Sequence, residues 1–311
     1  MRIFATAFLA ALALYGQPGS ITGPSIGFVF DSSSHALRRI QGIPGAALVG
    51  SPVDFGFPVS AAYVAPHLDS AFIVAGEGQT RLFRLTGQAG APAPVAIDFL
   101  GSPRRVVYSA SGSAAALYFP GTVRIVKGLP DSPVLAGAIS LRSNPRARTA
   151  LPDTLAVSDD GAYLLYAAGD GLELLTLAGN SRQVLQGGGT LAAFAPGGHD
   201  AAVVDGTRLT FFQDIAGAAT ERSYDGVAAP TALAFSPDSQ KLVVASATGR
   251  KVTTIQVATG ERAALACDCA PSVIVAMGSV FRLNELGAEP LWVLDTASER
   301  GLLFIPVPAA N

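Results

Sequence analysis

Charge is what this sequence has least of. Asp, Glu, Lys and Arg make up 14% of its 311 residues, where ~25% is usual. The 21 basic and 23 acidic side chains leave a net charge of -2. No basic excess is present to neutralise phosphates, which excludes a dedicated nucleic-acid binder. Two Cys are too few for a disulfide scaffold. Three His, at 35, 67 and 199, show none of the His-Glu-x-x-His or closely paired His spacings of a zinc site, so no metal is expected. No Gly-x-Ser-x-Gly elbow occurs, which removes support for an α/β-hydrolase nucleophile. Gly187-Gly188-Gly189 with Ala192 matches a dinucleotide fingerprint by letter. A strand pattern follows it where that fingerprint needs a helix N-terminus. No cofactor is therefore expected.

What is present is apolar: half of the residues are hydrophobic, enough to offset chain entropy and exclude disorder as the main state. Gly 34 and Pro 21 without a Gly-X-Y period exclude collagen and indicate many turns. Residues 1–16, MRIFATAFLAALALYG, place Arg2 before an uncharged apolar run from Ile3 to Leu14, and Pro18 and Gly19 follow. This is the layout of a secretory signal peptide, too short to span a bilayer. Secretion or residence in the periplasm is the expectation, with 17–311 as the mature chain. No later apolar run is long enough to span, so no membrane segment is expected.

Beyond the leader no helical period holds for three turns, and alternation and short apolar runs dominate. Thr231–Cys267 reads TALAFSPDSQKLVVASATGRKVTTIQVATGERAALAC. It is four short strands joined by Pro-Asp, Gly and Thr-Gly-Glu turns. The first strand and turn of this unit recur as AAYVAPHLDS, VVYSASGSA, LAVSDDGAY, LAAFAPGGHD and VIVAMGSVF. Their turns, at Pro66, Ser111, Asp160, Gly197, Asp238 and Gly278, are 45, 49, 37, 41 and 40 residues apart. Four strands at this period indicate an all-β fold, a β-propeller of four-stranded blades in one domain. First strands such as TALAF are apolar on both faces, which suits a strand sandwiched between neighbouring sheets.

The SPDSQKLVVAS…VTTIQVATGE unit and the WVLDTAS turn resemble the YVTN/WD40-like repeat propellers common among bacterial secreted proteins, over roughly residues 60–311. The resemblance implies fold far more than activity. Six units fill that span. Residues 20–59 add SIGFVFD and HALRRI, a hairpin in which Ile26, Phe28 and Phe30 share one face. Seven blades are favoured over six, with this hairpin closing the ring against the C-terminal blade and so protecting open sheet edges.

Candidate ligand-binding residues follow from the turns, since propeller faces are built of loops. His67 and His199 fall in first-hairpin turns, at positions that look equivalent in two units. Arg142, Arg146 and Arg148 lie in the long 140–153 connection, suited to an anionic partner. Asp159, Asp160, Asp200 and Asp238 also fall in first turns, where Asp bonds local backbone N–H groups. Arg282, Glu285 and Trp292 gather near the C-terminus. Cys267 and Cys269, two apart, leave three readings open: buried small residues, a local disulfide, or a metal pair. No catalytic constellation emerges. The expectation is an exported, non-catalytic, monomeric scaffold that binds a protein or small ligand. The alternative is a propeller-type hydrolase, a lactonase or glycan-cleaving enzyme, with its site at the channel mouth.

Overall fold

The structure, a computed structural model, describes residues 23–86, 91–97, 101–141, 151–168, 171–186, 190–298 and 301–307. The proposed leader, 1–16, and Arg142, Arg146 and Arg148 lie outside the described residues. The described residues form seven antiparallel sheets whose strands follow one another in chain order. Blade 1 spans 25–52, blade 2 59–95, blade 3 105–140, blade 4 154–186, blade 5 190–224, blade 6 232–266 and blade 7 275–305. Seven blades, and not six, make the ring. All six repeat turns read from the sequence connect the first and second strands of blades 2 to 7.

Apolar side chains alternate between the two faces of each blade, so every sheet packs against two neighbours. Seven core clusters result, one per pair of adjacent blades. The cluster of Phe72, Val106 and Leu117 joins blades 2 and 3, and that of Tyr118, Leu155 and Leu164 joins blades 3 and 4. The ring closes through Val29, Ile40 and Val49 of blade 1 against Met277, Leu291 and Val293 of blade 7. The N-terminal hairpin thus sits beside the last blade as expected, but by a different device. No strand of blade 1 pairs with blade 7 among the described residues. Closure covers sheet faces, not edges.

In blades 2 to 6 the strand buried on both faces is the second, not the first. All six residues of Ser70–Ala75 are buried, as are the first five of Ala114–Phe119. First strands such as Ala232–Phe235 are mostly half-buried, because one edge of each faces the axis. Fourth strands, such as Thr220–Tyr224, are mostly exposed.

Blade 1 has three strands among the described residues. Where a fourth would run, residues 53–58 cross to blade 2 instead. Phe55 and Phe57 pack their rings against Phe83 at 5.0 and 5.9 Å, and the Arg81 guanidinium lies 4.9 Å from the centre of the Phe57 ring. Burying two aromatic rings and forming a cation–π contact compensates for the missing strand pairing.

Candidate functional site: the first-turn face and the axial channel

The turns between first and second strands crowd together at one end of the ring. Each is closed by a backbone bond, such as Ser109 N–H to the Ala114 carbonyl and Ser236 N–H to the Lys241 carbonyl, both 2.8 Å. Where the turn reads Ser-x-Asp, the serine hydroxyl donates to the aspartate and its oxygen accepts the N–H across the hairpin. Ser158 does this with Asp160 (2.6 Å) and Tyr163 (3.0 Å), and Ser236 with Asp238 (2.5 Å) and Lys241 (2.9 Å). The Ser236 hydroxyl and the Gln240 N–H hold the Asp238 carboxyl below its ordinary range. Burial pushes Asp160 up, but bonds from Ser158, Ala162 and His199 outweigh it and the net shift is downward.

Asp159 acts differently, and the sequence carries no signal of it beyond the letter. Its Oδ1 accepts the Ser111 N–H of blade 3 at 2.9 Å, and its Oδ2 accepts the Gly197 N–H of blade 5 at 2.7 Å. One carboxylate on blade 4 thereby ties three successive turns. The Ser239 hydroxyl reaches the Pro196 carbonyl at 3.3 Å, and the Gly278 N–H reaches the Pro66 carbonyl at 2.7 Å. At Gly112, φ is +78° and a side chain would meet Pro66 Cδ at 3.2 Å, so the turns of blades 2 and 3 approach closely only with glycine there. The turn of blade 1 is saturated internally: Asp31 accepts from Ser33, Ser34 and Arg38.

His67 and His199 occupy corresponding turns but not corresponding positions. The closing bonds Ala65 N–H to Ser70 and Ala195 N–H to Asp200 set the alignment, which matches His199 with Asp69 and His67 with Gly197. His67 is exposed. His199 Nε2 lies 3.0 Å from Asp160 Oδ2, Nδ1 is 3.8 Å from Asp214 Oδ1, and the ring meets Tyr163 edge-on at 4.7 Å. The two histidines are on blades 2 and 5 and do not form one site.

The Cys267–Cys269 pair is joined as a disulfide in the connection from blade 6 to blade 7, with both residues buried. Arg282 pairs with Glu285, and Asn284 Oδ1 accepts the Trp292 N–H at 2.7 Å. These contacts stay within the last blade. Among the described residues no group of three or more His, Cys, Asp or Glu is placed to hold a metal ion. No helix among them is long and apolar enough to cross a membrane.

The axial channel is framed by the seven first strands. Aligned on their closing bonds, blades 2 to 6 present Tyr63, Val107, Ala156, Ala193 and Ala234 at one level, and Ala61, Arg105, Thr154, Leu191 and Ala232 two residues earlier. Small and apolar groups dominate, and Tyr63, Val107, Ala156, Ala193 and Ala234 pack against the cores between adjacent blades. Arg105 is the departure, because the strand starts one residue before the apolar run VVY. Its Nη1 donates to the Pro152 carbonyl, just before blade 4, at 3.1 Å. Burial pushes the Tyr63 phenol of blade 2 up, and the Arg105 charge draws it partly back down.

An all-β ring of this kind is a β-propeller, and solved structures agree on that point. The chain is similar to a functionally unknown protein of Desulfotomaculum acetoxidans, with a TM-score of 0.57 and 12% identity over 90% of this chain and 98% of that one. It is similar to a candidate 6-phosphogluconolactonase of Bacteroides fragilis, with a TM-score of 0.58 and 15% identity over 93% and 96%. The β-propeller domain of Cps50 (Swd1) from Myceliophteria thermophila matches with a TM-score of 0.52 and 12% identity over 91% and 96%. At these identities the likeness defines the fold. No protein-family model and no curated protein matches the chain.

Proposed function

We propose that this chain is an exported, monomeric, non-catalytic β-propeller that binds a small ligand or a protein through its channel and first-turn face. The observation that carries this reading is how the turn-face carboxylates are used. Asp159 bonds the backbone of two neighbouring turns, and Asp160 and Asp238 bond their own serines. Those bonds hold the Asp160 and Asp238 carboxyls below their ordinary range, which makes them weak bases poorly suited to proton transfer. Export rests on the Arg2 to Gly16 leader pattern. The test is a screen of the pure protein against esters, lactones, phosphoesters and glycosides, with and without Ca²⁺. No turnover is expected. Turnover abolished by changing a channel or turn-face residue would overturn the reading.

One arrangement favours the hydrolase alternative. His199 is a partly exposed imidazole beside Asp160 on one side and Asp214 on the other, the general layout of a base oriented by a carboxylate. If a lactone or glycoside is turned over, H199A should abolish the activity, whereas H67A on blade 2 should not.

A further inference from the structure

In blades 2 to 6 the third strand carries a position that faces the core shared with the next blade. Aligned on the closing bonds of the first turns, it is the third-strand member of the pairs Val74–Thr80, Tyr118–Val123, Ala167–Leu172, Val204–Leu209 and Ala245–Val252. Val123, Leu172, Leu209 and Val252 are fully buried, each in the core between its own blade and the following one. Blade 2 alone of these five places a hydroxyl there. Thr80 is 8% exposed, and its Oγ1 is buried with no hydrogen-bond partner. Buried hydroxyls are normally satisfied, and leaving one unpaired costs stability.

The sheet opens at the same place. The ladder from the third strand, Thr80–Arg84, to the fourth, Ala93–Val95, ends at the Leu82–Val95 pair, and the Thr80 N–H bonds the Gly101 carbonyl at 3.1 Å instead. A cleft of about 300 Å³ lies there, with Thr80, Leu82, Pro94, Val95, Ile97 and Gly101 in its lining. Arg81, the one charged residue of the described lining, holds its guanidinium 4.9 Å from the centre of the Phe57 ring, which packs in the core toward blade 1. The cleft thus offers apolar walls, one hydroxyl and no free charge. A turn to the next staggered rotamer exchanges the Thr80 hydroxyl and methyl, so either group can face it. We infer that this cleft binds a small, uncharged, ring-sized apolar molecule carrying one hydroxyl or carbonyl oxygen, which pairs with the Thr80 hydroxyl. Its volume matches the lower end of small-molecule sites, roughly 300 Å³. Thr80 pairs with Val74, at the opposite end of the second strand from Ser70 and the first turn. The cleft is therefore a site apart from the first-turn face, and it stands or falls independently of the reading above.

The test titrates the full chain, labelled at its Leu, Val and Ile methyl groups, with phenol and separately with toluene, and follows the methyl resonances by NMR. The two probes have nearly the same shape and differ by a hydroxyl in place of a methyl. The variant T80V makes the same exchange on the protein. Phenol should shift the Leu82, Val95 and Ile97 methyls saturably in the wild type. T80V should weaken phenol about fivefold, the size of one neutral hydrogen bond. Toluene, which cannot make that bond, should change by less than about twofold. Without a probe, T80V should melt at or above the wild-type temperature, because valine is what blades 3 and 6 carry at this position and an unpaired hydroxyl is removed. No saturable shift by phenol, shifts centred away from these three methyls, or phenol affinity unchanged in T80V would overturn the site. A clear fall in the melting temperature of T80V would also overturn it, by assigning the hydroxyl a structural role.

Discussion

At the scale of single residues, the polar groups of this chain act mainly on backbone. Asp31 is the clearest case. Burial alone would raise its pKa, yet bonds from Ser33, Ser34 and Arg38 hold the carboxyl far below the ordinary range. A depressed carboxyl contributes stability that is present above the unfolded value near 4 and is lost as pH falls toward the folded value. Denaturant titrations at several pH values should therefore show wild type losing stability below about pH 4. D31N should be less stable by about 1–3 kcal/mol at neutral pH, with that gap narrowing in acid. A gap independent of pH would contradict the assignment. Asp159 makes a second case. D159A leaves the Ser111 and Gly197 N–H groups without their acceptor and should cost about 1–3 kcal/mol. D159N, which keeps one carbonyl oxygen, should cost less in the same unfolding experiment.

At the scale of elements, the hairpin is the repeated unit and its turn chemistry is local. In Ser-x-Asp turns the serine serves as donor and acceptor at once, so neither partner works alone. S236A and D238A should each destabilise by about 1 kcal/mol, and the double variant by less than the sum, because both remove the same bond. Strict additivity in denaturant melts would show that the two side chains act independently. The 53–58 crossing is an element of another kind. Its alternating Val53, Phe55 and Phe57 look like a strand, yet these side chains join the core between blades 1 and 2 rather than extending a ladder. The aromatic payload of Phe83 and the cation of Arg81 draw it there.

At the scale of the whole molecule, stability depends on closing the ring. Ile40 is fully buried in the core between blades 1 and 7. I40A should cost about 2–5 kcal/mol by leaving a cavity there. L48A, on the same blade but 61% exposed, should change stability by less than about 0.5 kcal/mol. Equal effects on the urea midpoint would contradict the closure role. Deleting residues 20–59 would strip the partner from Met277, Val280 and Leu291 on one side and from Ile73, Phe83 and Leu85 on the other. Two apolar sheet faces would meet water, and aggregation is the expected outcome, checked by light scattering.

The β-class, the four-strand period, the six repeat turns and the N-terminal hairpin were all legible in the linear order, because hairpin turns and strand alternation are written in neighbouring residues. The turn role of Asp160 and Asp238 was legible for the same reason: their partners lie within a few positions. What was not legible depends on residues far apart in sequence. Nothing local distinguishes Asp159, which bridges neighbouring blades, from Asp160, which braces its own turn. The offset between His67 and His199 needed the closing hydrogen bonds to set the alignment. Arg105 reads as a polar residue before an apolar strand until the ring brings the Pro152 carbonyl, just before blade 4, within hydrogen-bond reach of it. Local steric preference and apolar periodicity decide which strands form. The curvature of the ring decides which side chains meet at its axis, and that curvature comes from the seven face-to-face cores acting together.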